Sequence, residues 1–164
     1  MKAVIQRVTS AELHLIDDCG LKEPFSSIGQ GLVALVAIEK EDTQENADKL
    51  LATLLNYRIF ADASERMNLS LLDVQGDLML VSQFTLAAAT NKGTKPSFSS
   101  AAQPEYASKL FVYLVKQAQQ ASEDKGDRDA TEASKSFGLA TGKFAANMQI
   151  TLTNDGPVTF ILKR

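Results

Sequence analysis

The chain has 164 residues, 45% hydrophobic and 23% charged, a balance that suits one soluble globular domain over residues 1–164 and excludes a disordered tail or linker. A net charge of −3 and an isoelectric point near 5.2 exclude broad, non-specific nucleic-acid binding, which needs a basic face, and leave room only for a local basic patch. The single Cys19 forms no internal disulfide. With no apolar leader and no run approaching the roughly 20 residues of a membrane span, the expected location is the cytoplasm, with no membrane partner.

Residues 2–16 read as one long strand or two joined ones. Val4, Ile5 and Val8 lead into Ala11, Leu13 and Leu15, which alternate with Glu12 and His14. Arg7 and His14 fall on the polar phase of this pattern and are expected to be solvated. His14 has no cysteine or carboxylate at ligand spacing. Asp17 to Ser27 reads as a polar connection containing Gly20 and Pro24. The unbroken apolar run Leu32 to Ile38 predicts a strand buried on both faces. Asp42 with Glu45 resembles a capping box, and Ala47, Leu50, Leu51, Leu54 and Leu55 recur at helical spacing. That stripe is core.

Tyr57 to Phe60 reads as a short strand, Asp62 to Asn68 and Asp73 to Asp77 as turns, and Leu78 to Val81 as a second buried strand. This strand runs into Ser82-Gln83-Phe84-Thr85-Leu86, hydroxyls and an amide at the end of a core strand, where a rigid scaffold can present polar groups to a ligand. Asn91 to Phe98 is a basic loop carrying Lys92 and Lys95. A second helix is expected from Pro104, with Ala107, Leu110, Phe111, Leu114, Val115 and Ala118 on one face. The polar stretch 122–142 reads as a surface excursion, with Thr131 to Ser136 a candidate helical turn. Finally, two alternating segments flank Asn154-Asp155-Gly156-Pro157, the pattern of a hairpin with its turn there.

The common chemical templates are absent. The chain has no P-loop, no dinucleotide fingerprint, no paired cysteines for zinc and no second histidine for a metal helix. A Ser/His/Asp triad would have to recruit His14, for which no spacing argues. An enzyme built on this inventory works with hydroxyls, backbone groups and its own substrate, without metal or cofactor.

Three separated motifs resemble those of the D-aminoacyl-tRNA deacylase family: Met1 to Val8, Ser82 to Leu86 and Asn154 to Thr159. Tyr57 to Phe60, Met67 to Leu69, Lys95 to Phe98 and Gly142 to Gln149 resemble the family as well, so the likeness spans nearly the whole chain. The resemblance implies an α+β fold, a curled, mostly antiparallel barrel-like sheet with two main helices, in a homodimer. It implies hydrolysis of the ester joining a D-amino acid to tRNA, and glycine as a further substrate. Aminoacyl-tRNA, through its 3′ end, is then the partner, and DNA is not.

Carried over residue by residue, the likeness assigns catalysis to Ser82, Gln83, Phe84 and Thr85, and substrate binding to Gly156, Pro157, Arg7, Met148 and Asn154. Backbone carbonyls at a cis Gly-Pro bond would receive the substrate's amino group in the partner subunit's pocket, with Arg7 bracing the incoming loop. Lys92, Lys95 and Lys143 are the candidate tRNA phosphate contacts. Either Thr85 attacks the ester directly, or the 2′-hydroxyl of the terminal adenosine assists a water, with backbone N–H groups near Phe84 and Thr85 holding the oxyanion. Substrate assistance is favoured, since no base stands beside Thr85 in sequence. The connections at Asp17 to Ser27 and Ser122 to Lys143 look longer than is usual in the family. Two other readings fit the residues: a non-catalytic dimeric tRNA-binding module of the same fold, and a deacylase acting on mischarged L-aminoacyl-tRNA.

Overall fold

The architecture rests on two strands of unusual length. In a computed structural model, which describes residues 1–91, 93–123 and 137–164, β1 (Lys2–Ile16) and β8 (Met148–Lys163) run antiparallel along almost their whole lengths. On its other side β1 pairs first with β3 (Gly31–Ala37) and then with β2 (Lys22–Ile28). From β3 the sheet continues in parallel to β6 (Asp77–Ser82) and then to β7 (Leu139–Thr141). Three pairings are antiparallel and two parallel, so the sheet is mixed. It curls far enough that Ser26 Oγ on β2 donates to the Thr141 carbonyl of β7 at 3.0 Å, leaving a nearly closed barrel.

The unbroken apolar run over Leu32 to Ala37 follows from this arrangement. Leu32, Ala34 and Val36 face the helices α1 (Gln44–Asn56) and α2 (Pro104–Glu123), while Val33 faces the barrel interior. Strand β6 divides in the same way, with Leu78 and Leu80 toward the helices and Met79 and Val81 inward. A strand with two buried faces has no polar phase. Each large side chain so buried is worth about 1.5–3 kcal/mol. The two strands therefore form the rigid centre of the fold.

Several local expectations are corrected. The polar connection at Asp17 to Ser27 holds β2, whose residues are mostly exposed and so show no apolar alternation; it forms through pairing with the second half of β1. The cap of α1 is Thr43, whose N–H donates to Asn46 Oδ1 at 2.8 Å. Asp42 is buried and accepts the Glu39 N–H at 2.7 Å, closing the turn ahead of the helix instead of capping it. The short strand near Tyr57 to Phe60 is only β4 (Phe60–Ala61), paired with β5 (Met67–Leu69). Of the stretch 122–142, residues 122 and 123 end α2, Phe137 is buried and Leu139–Thr141 form β7. Residues 124–136, including the candidate turn at Thr131 to Ser136, lie outside the described residues.

The expected hairpin at Asn154 to Pro157 does not form. Both flanking segments pair with β1 and not with each other: Thr159 opposes Gln6, and Asn154 opposes Val8. Residues 155–158 therefore bulge out opposite the single residue Arg7. Turn-rich composition marks such a bulge and a hairpin alike, and only the partner strand tells them apart.

Candidate active site

At the carboxyl end of β6 the chain leaves the sheet at Ser82 and enters a 3-10 turn, Phe84–Ala87. The exit is fixed by the Gln83 N–H, which donates to the Val36 carbonyl at 2.7 Å. In this way β3 and β6 together set the position of Ser82, Gln83 and Phe84, which line a cavity of about 560 Å³. Its apolar wall includes Val36, Ile38, Val81 and Ile150, and its far rim is the chain from Phe144 to Met148. Ala145, in that rim, has φ +59°, an uncommon backbone for a residue with a side chain. The volume suits a nucleoside-sized ligand.

Thr85 is exposed, and its Oγ1 accepts a hydrogen bond from the Gln83 side-chain amide. An amide donor cannot take up the hydroxyl proton, and among the described residues no histidine, lysine or carboxylate bonds to Thr85. The first N–H groups of a helical turn have no carbonyl partner within the turn, so those of Phe84 and Thr85 are suited to a developing oxyanion. His14 is half-buried on β1, away from this cavity. Among the described residues no group of three or more His, Cys, Asp or Glu could hold a metal ion.

The second assembly is the bulge of β8. Arg7, which the strand pattern puts in solvent and the resemblance sets against an incoming loop, is packed beneath the bulge of its own chain with only 12% of its side chain exposed. Its Nη1 donates to the Ile59 carbonyl at 2.6 Å, and its Nε reaches the Asp155 carbonyl at 3.2 Å and the Asp155 carboxylate at 2.9 Å. From within the loop, Asn154 Oδ1 accepts the Val158 N–H at 3.0 Å. Gly156, at φ +125°, approaches the Arg7 guanidinium so closely that a Cβ there would lie 3.2 Å from Nη2. The Gly156–Pro157 peptide is cis, and both residues are exposed.

The two assemblies do not meet within one chain, since no residue of the bulge lines the cavity. Met148 lines it; Asn154 shapes the bulge. Lys143 is exposed next to the lining residue Phe144, Lys95 is exposed in the loop that leads to Phe98, and Lys92 lies outside the described residues. The sequence read Pro104 as a helix start and Ala107 as core, and marked Ala101 and Ala102 not at all, yet all four line the cavity; small apolar residues at a helix start look like ordinary core. The Ile59 carbonyl was equally silent, as a backbone acceptor leaves no trace in residue type.

Residues 4–163 match the family described as D-Tyr-tRNA(Tyr) deacylase. The chain belongs to the D-aminoacyl-tRNA deacylase family. A D-aminoacyl-tRNA deacylase of Pseudomonas fluorescens is 50% identical over 163 residues, covering 99% of both chains, and one of Haemophilus influenzae is 44% identical over 162 residues with the same coverage. Among solved structures, the c-Myc DNA Unwinding Element Binding Protein superposes with a TM-score of 0.84 at 35% identity, covering 100% of this chain and 99% of its own. A structure titled as a probable eukaryotic D-amino acid tRNA deacylase gives 0.73 at 18% identity, covering 99% and 98%, a likeness of fold alone. This deacylase is thus a hydrolase with a barrel-like mixed sheet and two helices. Among its described residues no helix is long and apolar enough to cross a membrane.

Proposed function

We propose that the deacylase hydrolyses the ester of D-aminoacyl-tRNA in the cytoplasm, acting as a single-domain homodimer in which the bulge of one subunit enters the cavity of the other. The observation that carries this reading is the contrast between the bulge's construction and its exposure: Arg7 and Asn154 hold it from below and within, yet Gly156 and Pro157 face solvent. A loop fixed this firmly is organised to present something, and among the described residues its own chain supplies no receiver. The outer edge of β8 is unpaired among the described residues and Ile161 there is 72% exposed, which supports a second copy as the receiver.

The carbonyls of Gly156 and Pro157 then accept the substrate's α-ammonium, a group with three donors. Gripping main-chain atoms leaves the substrate side chain unread. A D-side chain points outward, an L-side chain meets the wall, and glycine passes because it has nothing to exclude. On the cavity side, Ser82 and Gln83 position the terminal adenosine and the reacting carbonyl, and the Phe84 and Thr85 N–H groups receive the oxyanion. The 2′-hydroxyl of the adenosine assists the attacking water, consistent with a Thr85 hydroxyl that has no base among the described residues. Lys92, Lys95 and Lys143 meet the phosphates, giving an acidic protein its local purchase on RNA.

Matched D- and L-aminoacyl-tRNA test the filter. The D-ester is expected to be cleaved faster by roughly a thousandfold, a difference of about 4 kcal/mol in transition-state stabilisation. Cleavage of the L-ester at a similar rate overturns the filter, and cleavage of neither points to a binding module. Thr85→Ala separates the two mechanisms. Substrate assistance predicts a loss of roughly tenfold or less in kcat, whereas a lost nucleophile costs on the order of 10⁴-fold or more at unchanged binding.

A further inference from the structure

Among the described residues, Phe84 and Phe98 are the aromatic pair left most open to solvent. Phe84 is 64% exposed although it lines the cavity, which places its ring at the mouth; Phe98 is 41% exposed, and the two ring centroids lie 5.3 Å apart at an interplanar angle of 48°. The pair is held in place from both flanks. Ala89 and Ser97 exchange backbone hydrogen bonds at 2.7 and 3.1 Å, and Ser100 Oγ donates to the Ala87 carbonyl at 2.5 Å. This ties the loop carrying Phe98 to the turn carrying Phe84. Phe98 itself stands among serines, so no local core explains it.

We propose that the Phe84–Phe98 pair is a stacking platform for the unpaired nucleobase next to the terminal nucleotide of the RNA 3′ end. The proposal rests on the reading of the cavity as the site for that terminal nucleotide. An aromatic face accepts any base, so the platform orients the single strand without reading its sequence. The phosphates on either side of the stacked base meet positive charge. Lys95, three residues from Phe98, and Lys143, next to the cavity residue Phe144, are both exposed and make no ion pair among the described residues. An aromatic face at the mouth of the cavity, with exposed cations on the chain segments that carry Phe98 and the cavity rim, matches a nucleic-acid strand better than a second protein surface.

The test uses an uncharged RNA hairpin with a single-stranded 3′ tail, carrying 2-aminopurine at the penultimate position. Because no ester is present, binding is read whether or not the protein hydrolyses anything. Wild-type protein is expected to quench the fluorophore. Phe98→Leu should abolish most of the quenching and weaken binding roughly tenfold, with Phe98→Trp restoring both. With an ester on adenosine alone, which cannot reach the platform, Phe98→Leu should turn over like the wild type. Equal losses on the RNA and adenosine esters, or unchanged quenching, would overturn the proposal. So would a shift in oligomeric state with RNA affinity unaltered, since the face would then belong to a protein interface.

Discussion

Replacing Arg7 with methionine is expected to lower kcat/KM for D-aminoacyl-tRNA by roughly a hundredfold, while the thermal unfolding midpoint falls by only a few degrees. The guanidinium ties the β8 bulge to the segment ahead of β4, through the carbonyls of Asp155 and Ile59 and the Asp155 carboxylate. Methionine fills a similar volume but donates nothing. Two carbonyls and a carboxylate lose a charged donor, each such loss costing about 1–3 kcal/mol where water cannot replace it. Asp155 is 41% exposed, so water recovers part of the cost there and the fold survives.

What is lost is the fixed aim of the Gly156 and Pro157 carbonyls, and a preorganised site is sensitive to displacements of about an ångström. Arg7→Lys should fall between the two, because an ammonium can keep one contact but not the fork of three. Steady-state kinetics beside a melting curve for each variant decides the matter. Full activity in the methionine variant would show that the bulge needs no clamp.

Gly31→Ala is expected to abolish soluble, folded protein, or to cost more than about 4 kcal/mol if any folds. A Cβ on Gly31 would lie 1.9 Å from the Asp77 carbonyl oxygen and 2.7 Å from its backbone carbon and nitrogen. Those atoms belong to the first step of the parallel β3–β6 pairing, which the Asp77 N–H reinforces by donating to the Gln30 carbonyl at 2.9 Å. Neither backbone can yield without shifting β6, the strand that delivers Ser82 to the cavity. Gly93→Ala is the contrast. That glycine has φ +69° and open space around it, so the substitution should cost only about 1–2 kcal/mol of backbone strain. Similar soluble yields and melting points for the two variants would show that the close crossing is not needed.

Much of the candidate site could be read from residue order because its residues are contiguous. Ser82 to Thr85 sit together at the end of a strand whose buried, apolar character is plain, and a strand end is where polar groups emerge from a scaffold. The cavity they line was not legible. Its other walls come from the end of β3, the start of α2 and the chain before β8, brought together only when the sheet curls. Alanines and an isoleucine carry no mark of which side of a packed element they will face.

Composition and periodicity by themselves determined the class of the molecule, its two helices and its doubly buried strands, and the order of its motifs carried the resemblance to a deacylase family. Tertiary structure alone decided what Asn154 to Pro157 are. Turn residues report a departure from regular backbone, but a hairpin and a bulge differ in which strand lies alongside, and that partner is some 150 residues away in β1. It likewise turned Arg7 from an apparent surface charge into a clamp, because period-two alternation assigns a face and says nothing of what the rest of the chain lays over it.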